Sequence, residues 1–287
     1  MLAVRQAIQR QIHDFVGFGT GVVDLDLPKG DPGLFGPGTM AWRVHADFTS
    51  MMIGGVAALL LQMLHPRALA GVWDHSDFRR DMPGRLRRTA QFVSGTTYGA
   101  TGQALQLIER VRSIHDRVHG TLPDGSSYSA NDPDLLTWVH VAEVSSFMRA
   151  HMRYHQPHLS KAEQDEYFAQ TATIAERLGA TCVPRSRPGI QAYLHSIRPE
   201  LRHDSRTREV ARALLDQPAP RLAAKPFGQV VLKAGIDLLP DWAAEMHGFR
   251  LGIDRHAARA GARSFGAVLR WALRDGSAIR ARRRVDA

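Results

Sequence analysis

The sequence predicts an all-α fold, a single compact domain of many helices, and three observations carry that prediction. Apolar residues recur at three- and four-residue steps through most of the chain, without the sustained alternation that strands require. Helix-capping signals punctuate those segments. The stretch FTSMMIGGVAALLLQML, residues 48–64, is uncharged throughout. It sits at the lower edge of what spans a bilayer. Gly54, Gly55 and Ala57 suit close helix packing, and Arg43, His45 and Asp47 before it and His65 and Arg67 after it bracket it with polar groups, so it reads as a buried central helix with no transmembrane segment.

The elements follow in order. The N-terminus MLAVRQAIQRQIHDFVGF carries Arg5, Arg10 and Asp14 among its apolar positions, which reads as an amphipathic helix and lacks the apolar core of a signal peptide. DPGLFGPG, residues 31–38, is a loop. A helix is predicted over 84–98, and a second over 100–120 closed by Gly120 as its C-cap. The polar loop TLPDGSSYSANDP leads to a long helix opened by Asn131 or Asp132, with Pro133 in its first turn. Ser160 and Glu163 form a capping box for a helix through Leu178, and DQPAP at 216–220 separates the later helices from the last three. The loops are too short to separate independent cores. The chain therefore divides into an N-terminal helix and arm (1–34), a main helical body that would enclose a cofactor pocket (35–255), and a C-terminal helix with a basic tail (256–287).

With 287 residues and 44% apolar content, the chain can fill a sizeable core. Lys and Arg number 37 against 28 Asp and Glu, a net charge of +9, but only four of those cations are lysines and the excess is scattered. A nucleic-acid partner is not expected. Arg280, Arg282, Arg283 and Arg284 form the densest run, and a solvated, disordered terminus is the expectation for them over phosphate contacts. The single cysteine, Cys182, excludes a disulfide framework and cysteine-rich zinc or iron–sulfur sites, and fits a reducing, cytoplasmic setting.

The segment ERVRSIHDRVHG raises the question of chemistry. On a helix, Leu107, Val111, Ile114 and Val118 form an apolar stripe, and His115 falls inside it. Such an imidazole is more commonly a core residue bonded to a carbonyl than a metal ligand. His119 lies one turn on, a spacing that can chelate a metal, but the intervening Glu of a metalloprotease helix is missing. His140, His151, His155 and His158, with Glu143, form a second group of the kind a non-haem metal site uses, and a solvated polar face explains His151 to His158 equally well. No motif surrounds Cys182, so it reads as structural rather than as a nucleophile or a haem thiolate. In RLRRTAQF, Arg85, Arg88, Thr89 and Phe92 share one helix face, either solvated or lining a polar pocket.

QMLHP, HSDF, GRLRRTAQFVSGTTYG, VRSIHDRVHG, WVH and LLPDWAAEMHGF, in this order from about residue 35 to 252, resemble the MpaB and rubber-oxygenase (latex clearing protein) family. The resemblance implies a haem b oxygenase that activates dioxygen on iron to oxidise an apolar small molecule, olefins included. It implies His115 as the axial ligand, with a partner for the other ring nitrogen. His119 is second choice, because its distance from Thr89 is similar to the spacing in rubber-cleaving members. Arg85 and Thr89 would hydrogen-bond dioxygen or a propionate, with Arg88 beside them, and His65 of QMLHP is a further cofactor contact. Two departures stand out. The family's RxxKT face has Arg88 in place of lysine, and a guanidinium has no lone pair to cap iron. The distal glutamate has no counterpart in HPRALAGVWDHSDF, where Asp74, His75 and Asp77 are the available substitutes. Rubber cleavage is therefore not carried over. These departures motivate a second reading, a haem-binding carrier or gas sensor without turnover; the third, a non-haem metal enzyme, rests on His140, Glu143, His151 and His155.

Overall fold

The computed structural model describes Arg5 and residues 23–217, 225–250, 252, 254–273 and 275–287. The amphipathic N-terminal helix predicted from the sequence lies outside the described residues, Arg5 excepted, as does some of the break at 216–220. The described chain forms helices α1 (Met40–His45), α2 (Phe48–Gln62), α3 (Pro66–His75), α4 (Phe78–Tyr98), α5 (Thr101–His115), α6 (Pro133–Tyr154) and α7 (Lys161–Leu178). It continues through α8 (Arg187–Ser196), α9 (Ser205–Leu215), α10 (Lys225–Leu238), α11 (Asp241–His247), α12 (Asp254–Ala272) and α13 (Ser277–Val285). The fold is all-α, as the periodicity predicts.

The apolar stretch becomes α2, and its neighbours approach through glycine. A Cβ on Gly54 would lie 2.8 Å from Phe147 Cδ1 of α6, and one on Gly235 of α10 would collide with Val56. Only residues without side chains let three helix backbones come this close. Gly54 beside Phe147 and the Trp138 indole donating to Gln62 O (3.3 Å) set α2 and α6 antiparallel. Gly55 departs from expectation: it packs against nothing and faces open space. No single described helix is long and apolar enough to cross a membrane, and the pair α2 and α3 is bent by 104°.

The caps act as the sequence predicts. Asp132 caps α6 by accepting from Asp134 N and Leu135 N, and Ser160 and Glu163 close a capping box on α7. Asp47 caps α2: its buried carboxylate accepts from Ser50 N (2.9 Å), Ser50 Oγ (2.5 Å) and Arg270 Nη1 of α12 (2.9 Å). Burial works against the Asp47 charge, but these donors prevail and hold its pKa below the ordinary value.

Two expectations are corrected. α5 ends at His115, so Gly120 is not its C-cap; it lies in a two-stranded antiparallel ribbon, β1 (His119–Thr121) with β2 (Ser127–Ser129), and backs onto the Tyr128 ring. Asp124 and Gly125 close that hairpin, Gly125 with a positive φ of 86° and Asp124 Oδ1 accepting from Ser126 N (2.9 Å). Strands of three residues are too short to register as alternation. The basic tail is likewise no disordered terminus. It forms α13, and Arg284, with no exposed surface, donates to Asp31 O (2.9 Å), Leu25 O (3.2 Å) and Tyr98 O (2.7 Å). One guanidinium thus ties the 23–38 arm and the end of α4 to the C-terminus, and Arg280 adds an ion pair with Asp26.

Arg284→Met leaves three carbonyls without their donor and should lower the unfolding free energy by about 2–4 kcal/mol in urea titration. Exposed Arg282→Ala should stay within about 0.5 kcal/mol of the parent.

Candidate active site

The site is shaped by how α4 and α5 diverge. The backbone of Asp81 leaves the helical region (φ −140°, ψ 58°), and its carboxylate accepts from Gly84 N (2.8 Å), so the regular run of α4 starts there, near the predicted start at 84. Every residue from Gly95 to Ala100 is buried, whereas none from Arg85 to Ser94 is. The hairpin is pinned at its closed end, where Gly95 admits the Leu107 side chain. Arg88 and Ile114 each lie seven residues along their own helix from that contact. α4 packs on α1, α5, α9 and α13, but makes no comparable contact with α2 or α6, which pack on one another.

Apolar side chains on three of these helices stay partly accessible. Met51 and Met52 of α2, Leu86 and Val93 of α4, and Val139 of α6 lean on the core yet keep accessible surface. Gly55 shares a stripe with Phe48, Met51 and Met52 at helical spacing, the one face of α2 that α6 and α10 leave free.

Polar groups enter from all sides. Arg85 Nη1 donates to Ser76 Oγ (3.1 Å), and burial together with Arg88 brings its pKa down to about 10, so it remains a cation at neutral pH. Thr89 is exposed, its hydroxyl donating to Arg85 O (3.3 Å). Arg88 is 64% exposed and turns toward Asp81 (3.6 Å), so the structure does not bring it together with Arg85. His45 joins α1 to two other helices: Nδ1 lies 2.8 Å from Thr97 Oγ1 and Nε2 2.9 Å from Tyr167 Oη, and burial pushes the imidazole down to about 3. It is a neutral bridge.

His115 occupies the last turn of α5, half-buried at the open end of the hairpin. Its Nδ1 is buried without a hydrogen-bond partner. Burial lowers its pKa, opposed by Asn131 and Asp116. The stripe predicted around it is only partly realised: Leu107 is buried, Ile114 is 42% exposed, and Val118 lies beyond the helix end. His119 is exposed on β1, where its carbonyl accepts from His75 Nε2 (3.2 Å). His65 is buried as the N-cap of α3, its Nδ1 accepting from Arg67 N (3.3 Å) and its ring near Trp138. Asp74 accepts from Tyr128 Oη (2.6 Å), and Asp77 precedes α4 without a capping bond.

Of the second histidine group only His151 and His155 meet, their ring centroids 5.0 Å apart. His140 and His151 are three turns apart on α6, about 16 Å along its axis. His151 bonds Gln156 (3.2 Å), His155 lies 4.0 Å from Asp47, and His158 is exposed. Among the described residues no three His, Cys, Asp or Glu side chains converge as a metal ion requires, which removes the ligand set of the non-haem reading. Cys182 is exposed in the loop after α7.

Glu143 has a different place. Closely surrounded by protein yet keeping some accessible surface, it lies beside Gln62, and burial, opposed by the Gln62 amide, raises its pKa to about 7. It also acts electrostatically on Tyr167, whose hydroxyl burial pushes up. The fold thus provides a carboxyl group that titrates near neutrality, a role sequence spacing assigns to no residue here. The Thr97–His45–Tyr167 bridge is equally invisible in sequence, because its members lie 52 and 122 residues apart.

Glu143 binds its proton more tightly in the folded than in the unfolded chain. Its contribution to stability is complete below the unfolded value of 4.5 and is lost as pH rises through about 7. Glu143→Gln should therefore be more stable than the parent at pH 9, by up to on the order of 3 kcal/mol, and the two should converge toward pH 4 in denaturant titrations. A difference that does not change with pH would contradict this placement.

The family model described as ER-bound oxygenase mpaB/B′/rubber oxygenase, catalytic domain, matches residues 42–271. Neither the curated proteins nor the solved structures give a match. The matched span runs from α1 to the last turn of α12 and contains the α4–α5 hairpin and every polar group described above. The chain belongs to the mpaB/rubber oxygenase catalytic-domain family.

Proposed function

We propose that this protein is a haem b-dependent oxygenase that oxidises an apolar small molecule, olefins among the candidates. The carrying observation is the half-buried His115, its Nδ1 sealed without a partner, at the open end of a hairpin whose facing arm holds Arg85 and Thr89. The residues fit the group: an imidazole for the iron, a half-buried cation for anionic oxygen or a propionate, and partly accessible Met, Leu and Val side chains suited to a porphyrin and an apolar substrate. Burial favours His115 over the exposed His119 as ligand. When bound, haem would supply activation of dioxygen.

The chain's own residues have separate tasks. Arg85, anchored on Ser76, provides fixed positive charge where negative charge develops. Thr89 offers a hydroxyl at the rim. Arg88 is drawn outward toward Asp81, and a guanidinium has no lone pair to offer a metal, so it would not serve as a ligand. Glu143 can accept or release a proton at neutral pH, and so takes the place of the base that residues 65–78 lack.

Protein produced with haem supply should be red with a Soret band. His115→Ala should lose that band and His119→Ala should keep it; the reverse pattern would move the ligand to His119. Arg85→Met should retain haem while oxygen consumption with apolar alkenes falls roughly 100-fold. A parent protein that binds oxygen reversibly and consumes none with any alkene tested would be a carrier rather than an oxygenase.

A further inference from the structure

The surroundings of His115 identify a residue that the family match does not assign. Asn131 closes the loop after β2, and Asp132, not Asn131, caps α6, so the Asn131 side chain is free to turn back on α5. Its amide nitrogen donates to Arg112 O (3.3 Å) and to Asp116 Oδ1 (2.7 Å), and its backbone N–H is held by Ser129 Oγ (3.2 Å). Both partners of the amide nitrogen are pure acceptors, so the orientation of the amide is fixed: reversing it would set oxygen against oxygen. The amide oxygen is thereby committed to the other side. It is buried there without a partner, beside an imidazole whose Nδ1 is also buried without one.

Two orphaned groups side by side, one able only to accept and one able to donate, are complementary. Each unmet group costs about 1–3 kcal/mol, so a small rotation of the ring that joins them is favoured. We propose that Asn131 is the positioning residue of His115: its amide oxygen takes the Nδ1–H, fixes the Nδ1-protonated tautomer, and leaves the Nε2 lone pair as the ligating one. Asp116 and the Arg112 carbonyl act behind it as the clamp on the amide. A neutral amide acceptor orients the ring without the added basicity that a carboxylate partner would confer. The choice of ring nitrogen stands on these contacts alone, whereas its consequence for iron rests on the haem reading given above.

The tautomer and its consequence for iron are tested separately. In the haem-free protein, long-range 15N–1H spectra of the histidine rings, assigned with His115→Gln, should give the Nδ1–H tautomer for His115. Asn131→Ala should convert it to the Nε2–H form that free histidine prefers, and Asp116→Ala, which loosens the clamp but keeps the amide oxygen, should give a mixture. Thermal unfolding followed by circular dichroism establishes that each variant is folded; should Asn131→Ala not fold, Asp116→Ala carries the test. An Nε2–H tautomer in the parent, or a tautomer unmoved by both variants, overturns the proposal. In the haem-loaded ferrous protein, Asn131→Ala should lower the iron–histidine stretching frequency and weaken haem retention roughly 10- to 100-fold. If the tautomer behaves as stated and no haem binds, the haem reading fails while the assignment of Asn131 stands.

Discussion

The close approach of α2 to its neighbours is the constraint on which the rest of the molecule depends. Gly54 lets α6 lie against α2, and Gly235 lets α10 lie against it from another side. Two faces of α2 are thereby taken up by backbone-level packing. α12 packs on α2 as well, whereas α4, held by α1, α5, α9 and α13, makes no comparable contact with it. Phe48, Met51, Met52 and Gly55 of α2 keep accessible surface where α6 and α10 do not cover them.

The polar groups of the candidate site follow a consistent electrostatic rule. Each is held in the protonation state its surroundings allow: Arg85 charged and anchored on a hydroxyl, His45 neutral between Thr97 and Tyr167, Glu143 poised between its two forms. Asp47 is charged at the far end of α2, where three donors outweigh burial. Low dielectric sharpens these differences. His115 Nδ1 and Asn131 Oδ1 are two of the buried groups left without a hydrogen-bond partner, and unmet capacity of this kind is where binding energy remains to be gained.

Much of this is legible in the sequence. The periodicity of α2, the Asp132–Pro133 start of α6, the Ser160–Glu163 box and the helix of 84–98 are local signals, set by a residue's near neighbours, and the fold keeps them. The sequence motifs also suffice to place the chain among the mpaB/rubber oxygenases, because the motif residues keep their order along the chain. Gly120, the basic tail and the α6 histidines read differently in sequence and in space. In each case the local pattern is ambiguous and a distant contact decides: Tyr128 for Gly120, three carbonyls from the 23–38 arm and α4 for Arg284, and the rise of a helix for His140 and His151.

What the sequence determined by itself is therefore the helical fold, several helix starts, the family, and the residue types that can do chemistry. Tertiary structure alone decided which of two glycines packs and which faces open space, that Arg85 turns inward and Arg88 outward, that Glu143 is buried as an acid near neutrality, and that Asn131 stands against His115. The division has one physical cause. Capping and periodicity depend on bonds within a turn or two, whereas burial, dielectric and hydrogen-bond complementarity depend on groups that only the folded chain brings together.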